Sequence, residues 1–176
     1  ADTVDFELKE PTVVTLGKFD GRHRGHQKLL RTMEEVKESL GYATAIFTFS
    51  TAPLTLVTGE IATVITTSEE RRHNMEKMGI DYLVEYPFTD DVRKMDPAVF
   101  VKDILVKRMK AKAVVVGPDC SFGYKGAGNV GLLRTLSREL DFRLYVIEKE
   151  KDHRRDISST YIRDELYRGT VAKANE

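Results

Sequence analysis

The chain has 176 residues, 41% hydrophobic and 32% charged, which is one domain's worth of sequence with enough apolar residues for a core. Its 28 Lys and Arg balance 28 Asp and Glu, so no global field draws it to nucleic acid or an anionic membrane, and any phosphate must be held by a local site. A single cysteine, Cys120, excludes an internal disulfide.

In chain order, "ADTVDFELKE" lacks the basic start and apolar stretch of a secretory signal. No later run approaches the ~20 apolar residues that cross a bilayer. The expectation is a cytoplasmic globular domain with neither membrane nor nucleic acid as partner. "TVVTLG" (12–17) reads as a buried strand and "HQKLLRTMEEVKESL" (26–40) as a helix, with Leu29, Leu30, Met33, Val36 and Leu40 at helical spacing and Gly41 as its stop. "YATAIFTFS" (42–50) is a second strand. "TSEERRHNMEKMG" (67–79) opens on a capping pattern, Thr67 with Glu70, and closes on Gly79. "DYLVEY" (81–86) is a third strand. In "DPAVFVKDILVKRMK" (96–110) Asp96 caps a helix and Pro97 takes its first position. "AKAVVVG" (111–117) is a fourth strand, 129–140 a helix, 142–148 a fifth strand and 158–169 a last helix. The charged run "EKEKDHRRD" (148–156) reads as a solvated loop. This alternation predicts one α/β domain over 1–176: a Rossmann-like, doubly wound, five-stranded parallel sheet with helices on both faces. The tail "VAKANE" is either a true end or the start of a connection to a further domain.

The stretch "GKFDGRHRGHQ" places His23 and His26 where the first strand meets the first helix. With a helix start near Gly21 or Arg22, both imidazoles lie on one face above the sheet, at a helix end that favours anions. Gly25 leaves backbone bare between them. This suits a polyphosphate better than a metal, because zinc needs further ligands and His73 and His153 sit in unrelated charged segments. Asp20 is a turn former or orients a histidine or Lys18.

His23–Arg24–Gly25–His26 matches the HxGH signature of the nucleotidyltransferase superfamily, and "ISSTYIR" (157–163) resembles its ISSTxxR signature. "GKFDGRHRGHQ" and "VVVGPDCSFGYKGAGN" (114–129) are similar to the corresponding stretches of the prokaryotic bifunctional riboflavin kinase/FMN adenylyltransferase family. The resemblance runs from about Val13 to Ala174 and implies the adenylyltransferase half, the kinase half lying beyond the C-terminus. Three departures stand out: Thr51 and Ala52 in "TFSTAP" where Pro and His are usual, Cys120 for Phe, and Lys18 for Asn.

The resemblance implies transfer of AMP from ATP, with Mg²⁺, to FMN, giving FAD and pyrophosphate. It implies His23, His26 and Arg163 as catalytic. It puts Gly17, Lys18, Phe19, Gly25, Gly117, Asp119, Asn129, Ile157, Ser159 and Thr160 on ATP, and Phe49, Ser50 and Phe122 on the flavin, with no metal-ligating residues. Asp119 is a ribose acceptor or a turn aspartate, Asn129 a site residue and helix cap, and Cys120 a pocket filler. The alternatives are another HxGH nucleotidyltransferase with a different acceptor, or a non-catalytic nucleotide- or flavin-binding remnant.

Overall fold

A computed structural model describes residues 5–50, 63–153 and 155–174. Thr51 and Ala52, singled out above, lie outside the described residues. Five parallel strands form the sheet: β1 Thr12–Leu16, β2 Ala43–Phe49, β3 Tyr82–Tyr86, β4 Ala111–Val116 and β5 Arg143–Val146. Their order is β3-β2-β1-β4-β5. The chain grows outward from β1 to β3, then returns to the other side of β1 for β4. That reversal makes the connections leaving β1 and β4 diverge to opposite faces, opening a crevice beyond their carboxyl ends. β1 is buried on both faces, which is why it reads as a continuous apolar run rather than an alternating one.

Two helices, α1 Arg24–Leu40 and α2 Ser68–Lys77, cover one face. Leu30, Met33 and Val36 of α1 and Met75 of α2 pack on Val13, Ile46, Ala113 and Val115. The predicted capping box on Thr67 and Glu70 is present. Met75 is the only buried residue of α2. The helix is tied to β3 through charge instead: Arg71 Nη2 and Arg72 Nε donate to the two oxygens of buried Glu85, at 2.8 and 2.6 Å. Burial alone raises the Glu85 carboxyl, but these two arginines outweigh it and hold its pKa below the ordinary value. At the amino ends of the strands, Asp81 Oδ2 accepts from the Thr44 N–H and hydroxyl and from Lys37.

The opposite face carries the short helices α3 Asp90–Arg93 and α4 Pro97–Val99, the stretch that follows α4, and α5 Val130–Glu139. Asp96 caps α4 as expected, accepting from Ala98 and Val99 N–H. The predicted single α-helix over 96–110 is corrected from Phe100 onward, where Phe100–Arg108 is a π-helix and the Met109 N–H reaches back to the Ile104 carbonyl at 2.9 Å. Its buried residues Phe100, Val101, Ile104 and Leu105, and the buried Met109 that caps its end, recur every four or five positions. The wider turn keeps all of them on the sheet.

After β5 the run read as a solvated loop is a hairpin, β6 Lys151–Asp152 with β7 Arg155–Asp156. Lys151 pairs with Asp156 and Asp152 with Arg155, so opposite charges face each other across the ladder. Helices α6 Ser159–Tyr167 and α7 Val171–Ala174 complete the described chain.

The loop after β4 is held by a contact only glycine permits. Gly123 has φ 71° and ψ −171°, and a Cβ there would stand 2.7 Å from Pro97 Cα and 2.9 Å from Pro97 N. Backbone cannot yield as a flexible side chain does, and this region of φ and ψ costs other residues roughly 1–3 kcal/mol. Gly123→Ala is therefore expected to lower the unfolding free energy by at least that amount, read as a fall in the urea midpoint at unchanged m; an unchanged midpoint would show that the loop shifts freely.

Candidate active site

Beyond the carboxyl ends of β1, β4 and β5 lies a cleft of about 310 Å³. Its floor is Leu16, Gly17, Lys18 and Phe19 after β1, and Gly117, Asp119 and Cys120 after β4. His23, Gly25 and His26 form one wall; Ile147 to Glu150 and Ile157 to Ser159 form the other. Ten of the residues expected at the site meet here: Gly17, Lys18, Phe19, His23, Gly25, His26, Gly117, Asp119, Ile157 and Ser159. A second cavity of about 280 Å³, on the far side of His23 and Ile157, is lined by α1, α6 and the segment before α2.

The expectation that α1 begins near Gly21 or Arg22 is corrected: it begins at Arg24 with His23 as its cap. His23 Nδ1 accepts from the His26 N–H at 3.3 Å, and His26 Nδ1 lies 3.0 Å from the Gly21 carbonyl. The rings stack with centroids 3.6 Å apart and planes 22° from parallel. Phe19, at φ 50°, backs His26 with its ring 4.8 Å away. Burial lowers both imidazole pKa values and His26 adds to the effect on His23, which falls to about 4; Asp20 opposes the shift on each. Gly25 serves this arrangement directly, because a Cβ there would lie 3.2 Å from His23 Nδ1 and 3.6 Å from the Ile157 carbonyl. The glycine lets the helix start close against the other motif.

Asp20 joins three segments. Its Oδ1 accepts from the Ile65 and Thr66 N–H groups at 2.7 and 3.0 Å, and its Oδ2 from Arg163 Nη1 at 2.7 Å. Its carbonyl accepts from the Ser159 hydroxyl at 2.6 Å. Ser159 thus spends its donor on the loop rather than on the cleft, while Ser158 caps α6 by accepting from Tyr161 N–H. Arg163 also reaches Thr160 Oγ1 at 3.3 Å. Arg163 and Thr160 line neither cavity among the described residues.

Asp119 is paired with Lys149 at 2.9 Å, and Lys149 also meets Asp156 at 3.2 Å. The Asp119 hydrogen bond outweighs burial and raises the Lys149 pKa, with Asp156 adding to it. Lys149 is the site residue that sequence reading missed. It lies inside the charged run, and its signal was the opposite-sign pairing that closes β6 on β7. Burial, then Asp119, raises the Cys120 thiol to about 12, so Cys120 fills the pocket as a neutral group.

Besides Arg163 and Thr160, four more expected residues stand apart from this cleft. Asn129 caps α5, accepting from Leu132 N–H. Phe122 is buried against Phe100, with ring centroids 5.6 Å apart. Phe49 packs edge-on to Phe88 at 4.8 Å, and Ser50 N–H donates to the Tyr86 carbonyl. Phe49 and Phe122 therefore lie on the sheet face that carries α5, opposite α1.

Comparison with known proteins adds an independent line. The FAD synthetase family matches residues 5–161. A bifunctional riboflavin kinase/FMN adenylyltransferase of Buchnera aphidicola (Acyrthosiphon pisum) is 29% identical over 170 residues, covering 96% of this chain and 54% of that protein. A FAD synthetase of Listeria monocytogenes is 34% identical over 166 residues, covering 93% and 67%. The chain spans about half the length of the bifunctional relatives it matches. Among solved structures, one from Streptococcus pneumoniae, described as a macrolide-efflux protein, superposes with a TM-score of 0.80 at 25% identity, over 97% of this chain and 57% of that one. A Francisella tularensis pantoate-β-alanine ligase, at 0.56 and 12% identity over 90% and 70%, shows the fold alone.

Two outcomes follow. Asp20→Ala strands the Ile65 and Thr66 donors and Arg163, each unsatisfied group costing about 1–3 kcal/mol. The loss is expected in the urea midpoint, and a wild-type midpoint would mean that Asp20 joins nothing of consequence. The lowered His23 pKa means that the unfolded chain binds more protons than the folded one between its ordinary 6.5 and about 4. Stability is expected to fall as pH drops through that window, and His23→Asn to flatten the fall; equal slopes in both proteins would contradict it.

Proposed function

Because this chain belongs to the FAD synthetase family, we propose that its cleft binds ATP and transfers AMP to FMN, giving FAD and pyrophosphate. The observation that carries this reading is the meeting of the HxGH and ISST segments in one cleft at the point where the strand order reverses. Small molecules alone are the substrates, and a cytoplasmic setting belongs to the same reading. So does the assignment of this chain to the adenylyltransferase half of the bifunctional pair. No helix among the described residues is long and apolar enough to cross a membrane.

A phosphate oxygen of FMN attacks the α-phosphorus of ATP in line, and pyrophosphate departs. That oxygen is already a nucleophile, so no covalent enzyme intermediate is required. Catalysis is then positioning and charge stabilisation. His23 and His26 meet the triphosphate at the start of α1. The first-turn N–H groups of α6 at Ser159 and Thr160, and the Arg163 N–H groups not used by Asp20 and Thr160, hold the departing pyrophosphate. Gly17 and Gly117 give the nucleotide room to lie on backbone, and Asp119, released from or shared with Lys149, accepts from the ribose. Lys18, Phe19, Gly25 and Ile157 complete the ATP side, with Asn129 holding the loop that ends at α5. Phe49, Ser50 and Phe122 mark the flavin side of the sheet. Mg²⁺ enters with ATP as part of the substrate, since it keeps most of its water ligands and neutralises phosphate oxygens.

Incubation with ATP, Mg²⁺ and FMN is expected to release FAD and pyrophosphate together, whereas phosphopantetheine or nicotinamide mononucleotide in place of FMN yields neither dinucleotide. His23→Ala is expected to lower turnover by about 10²–10³, the typical cost of one preorganised donor. Unchanged turnover in that variant, or pyrophosphate release only with another acceptor, defeats the assignment.

A further inference from the structure

The hydrogen bonds inside the histidine pair fix which ring nitrogens carry protons. His23 Nδ1 faces the His26 backbone N–H, 3.3 Å away. A backbone N–H only donates, so His23 Nδ1 is a lone pair and the proton of this ring sits on Nε2. His26 Nδ1 faces the Gly21 carbonyl, 3.0 Å away. A carbonyl only accepts, so His26 Nδ1 carries the proton and its Nε2 is a lone pair. Two rings stacked 3.6 Å apart in one cleft are therefore opposite tautomers.

The difference decides which ring can become charged. Protonating His23 at Nδ1 destroys the cap that starts α1. Protonating His26 at Nε2 leaves its bond to Gly21 intact. The non-bridging oxygens of a triphosphate are acceptors, so a bare Nε2 lone pair is repelled by them, while a protonated Nε2 makes a charge-assisted hydrogen bond. Resting on the reading of the cleft as an ATP site, we propose that His26 takes up one proton at Nε2 when the triphosphate binds, while His23 donates from Nε2 with its protonation unchanged. The pair is then one fixed donor and one donor made on demand.

The surrounding charges allow this. Asp20, on the same loop, favours a cation on either ring, and Arg163 of α6 is already bound to that carboxylate. Lys18 after β1, Asp119 after β4, and Glu148, Lys149 and Glu150 after β5 line the same cleft with mixed sign. Burial keeps His26 below its ordinary pKa without nucleotide, and the phosphate charge reverses that balance.

Calorimetric titration of the full chain with MgATP tests the proposal. The titration is run at about pH 7.5, above the ~6 second pKa of a phosphate monoester, in three buffers of different ionisation enthalpy. The observed enthalpy is expected to vary linearly with buffer enthalpy, with a slope approaching one proton taken up per nucleotide. His26→Gln is expected to abolish the slope and His23→Gln to retain it. Imidazole ¹⁵N spectra of the ligand-free wild type should show the proton on Nε2 of His23 and on Nδ1 of His26. A flat wild-type slope, loss of the slope in His23→Gln rather than His26→Gln, or the same tautomer on both rings overturns the proposal. ATP binding with a flat slope leaves the nucleotide reading standing; failure to bind ATP overturns both.

Discussion

One carboxylate, that of Asp20, sets the geometry on which the cleft depends. It lies on the loop after β1, yet its partners come from the segment before α2 and from α6, some 45 and 143 positions further along the chain. Few residues of a parallel sheet can do this, because βαβ connections carry consecutive strands away from each other and leave their carboxyl ends linked only by loops. A short, buried acceptor with two oxygens and a backbone carbonyl gathers those loops without needing a large apolar interface. The histidine pair and the α6 start are held at a common mouth by it, and Gly25 allows the approach to be close enough.

The cleft, like the protein as a whole, carries charge of both signs. It does not use a cationic surface. Two imidazoles with lowered pKa and the starts of α1 and α6 stand at its walls, and the nearby arginine of α6 is already committed to the Asp20 carboxylate. Lys149, bridging Asp119 and Asp156, follows the same rule of compensated charge.

How much of this was legible follows from what each feature needs. β1, β2 and β4 were plain in sequence because burial on both faces demands unbroken apolar runs. α1, α2 and α5 were plain because 3.6-residue spacing and caps are local properties. The histidine pair was found because both rings sit within four residues at a strand–helix junction. What escaped depends on distant partners. Asp20 was only a turn aspartate or a local orienter until α6 came to rest on it. The π-helix over 100–108 starts from an ordinary capped helix and departs from it only when a buried set at wider spacing meets the sheet. The hairpin over 151–156 is invisible until Lys151 is placed across from Asp156. Phe49 and Phe122, expected on the flavin, lie near strand ends, but sequence order could not say that the sheet separates them from α1.

The attachment of α2 has a consequence of its own. With Met75 as its only buried residue and the Arg71–Glu85–Arg72 contact as its tether, lifting this helix off the sheet would uncover little oily surface. Urea, whose leverage grows with the surface exposed, grips such a movement poorly. Acid acts on it directly, because protonating Glu85 removes the anion on which both guanidinium groups converge. The fold therefore contains a seam that parts by neutralisation rather than by solvation, and it runs along the helix whose leading segment holds the two N–H groups on Asp20.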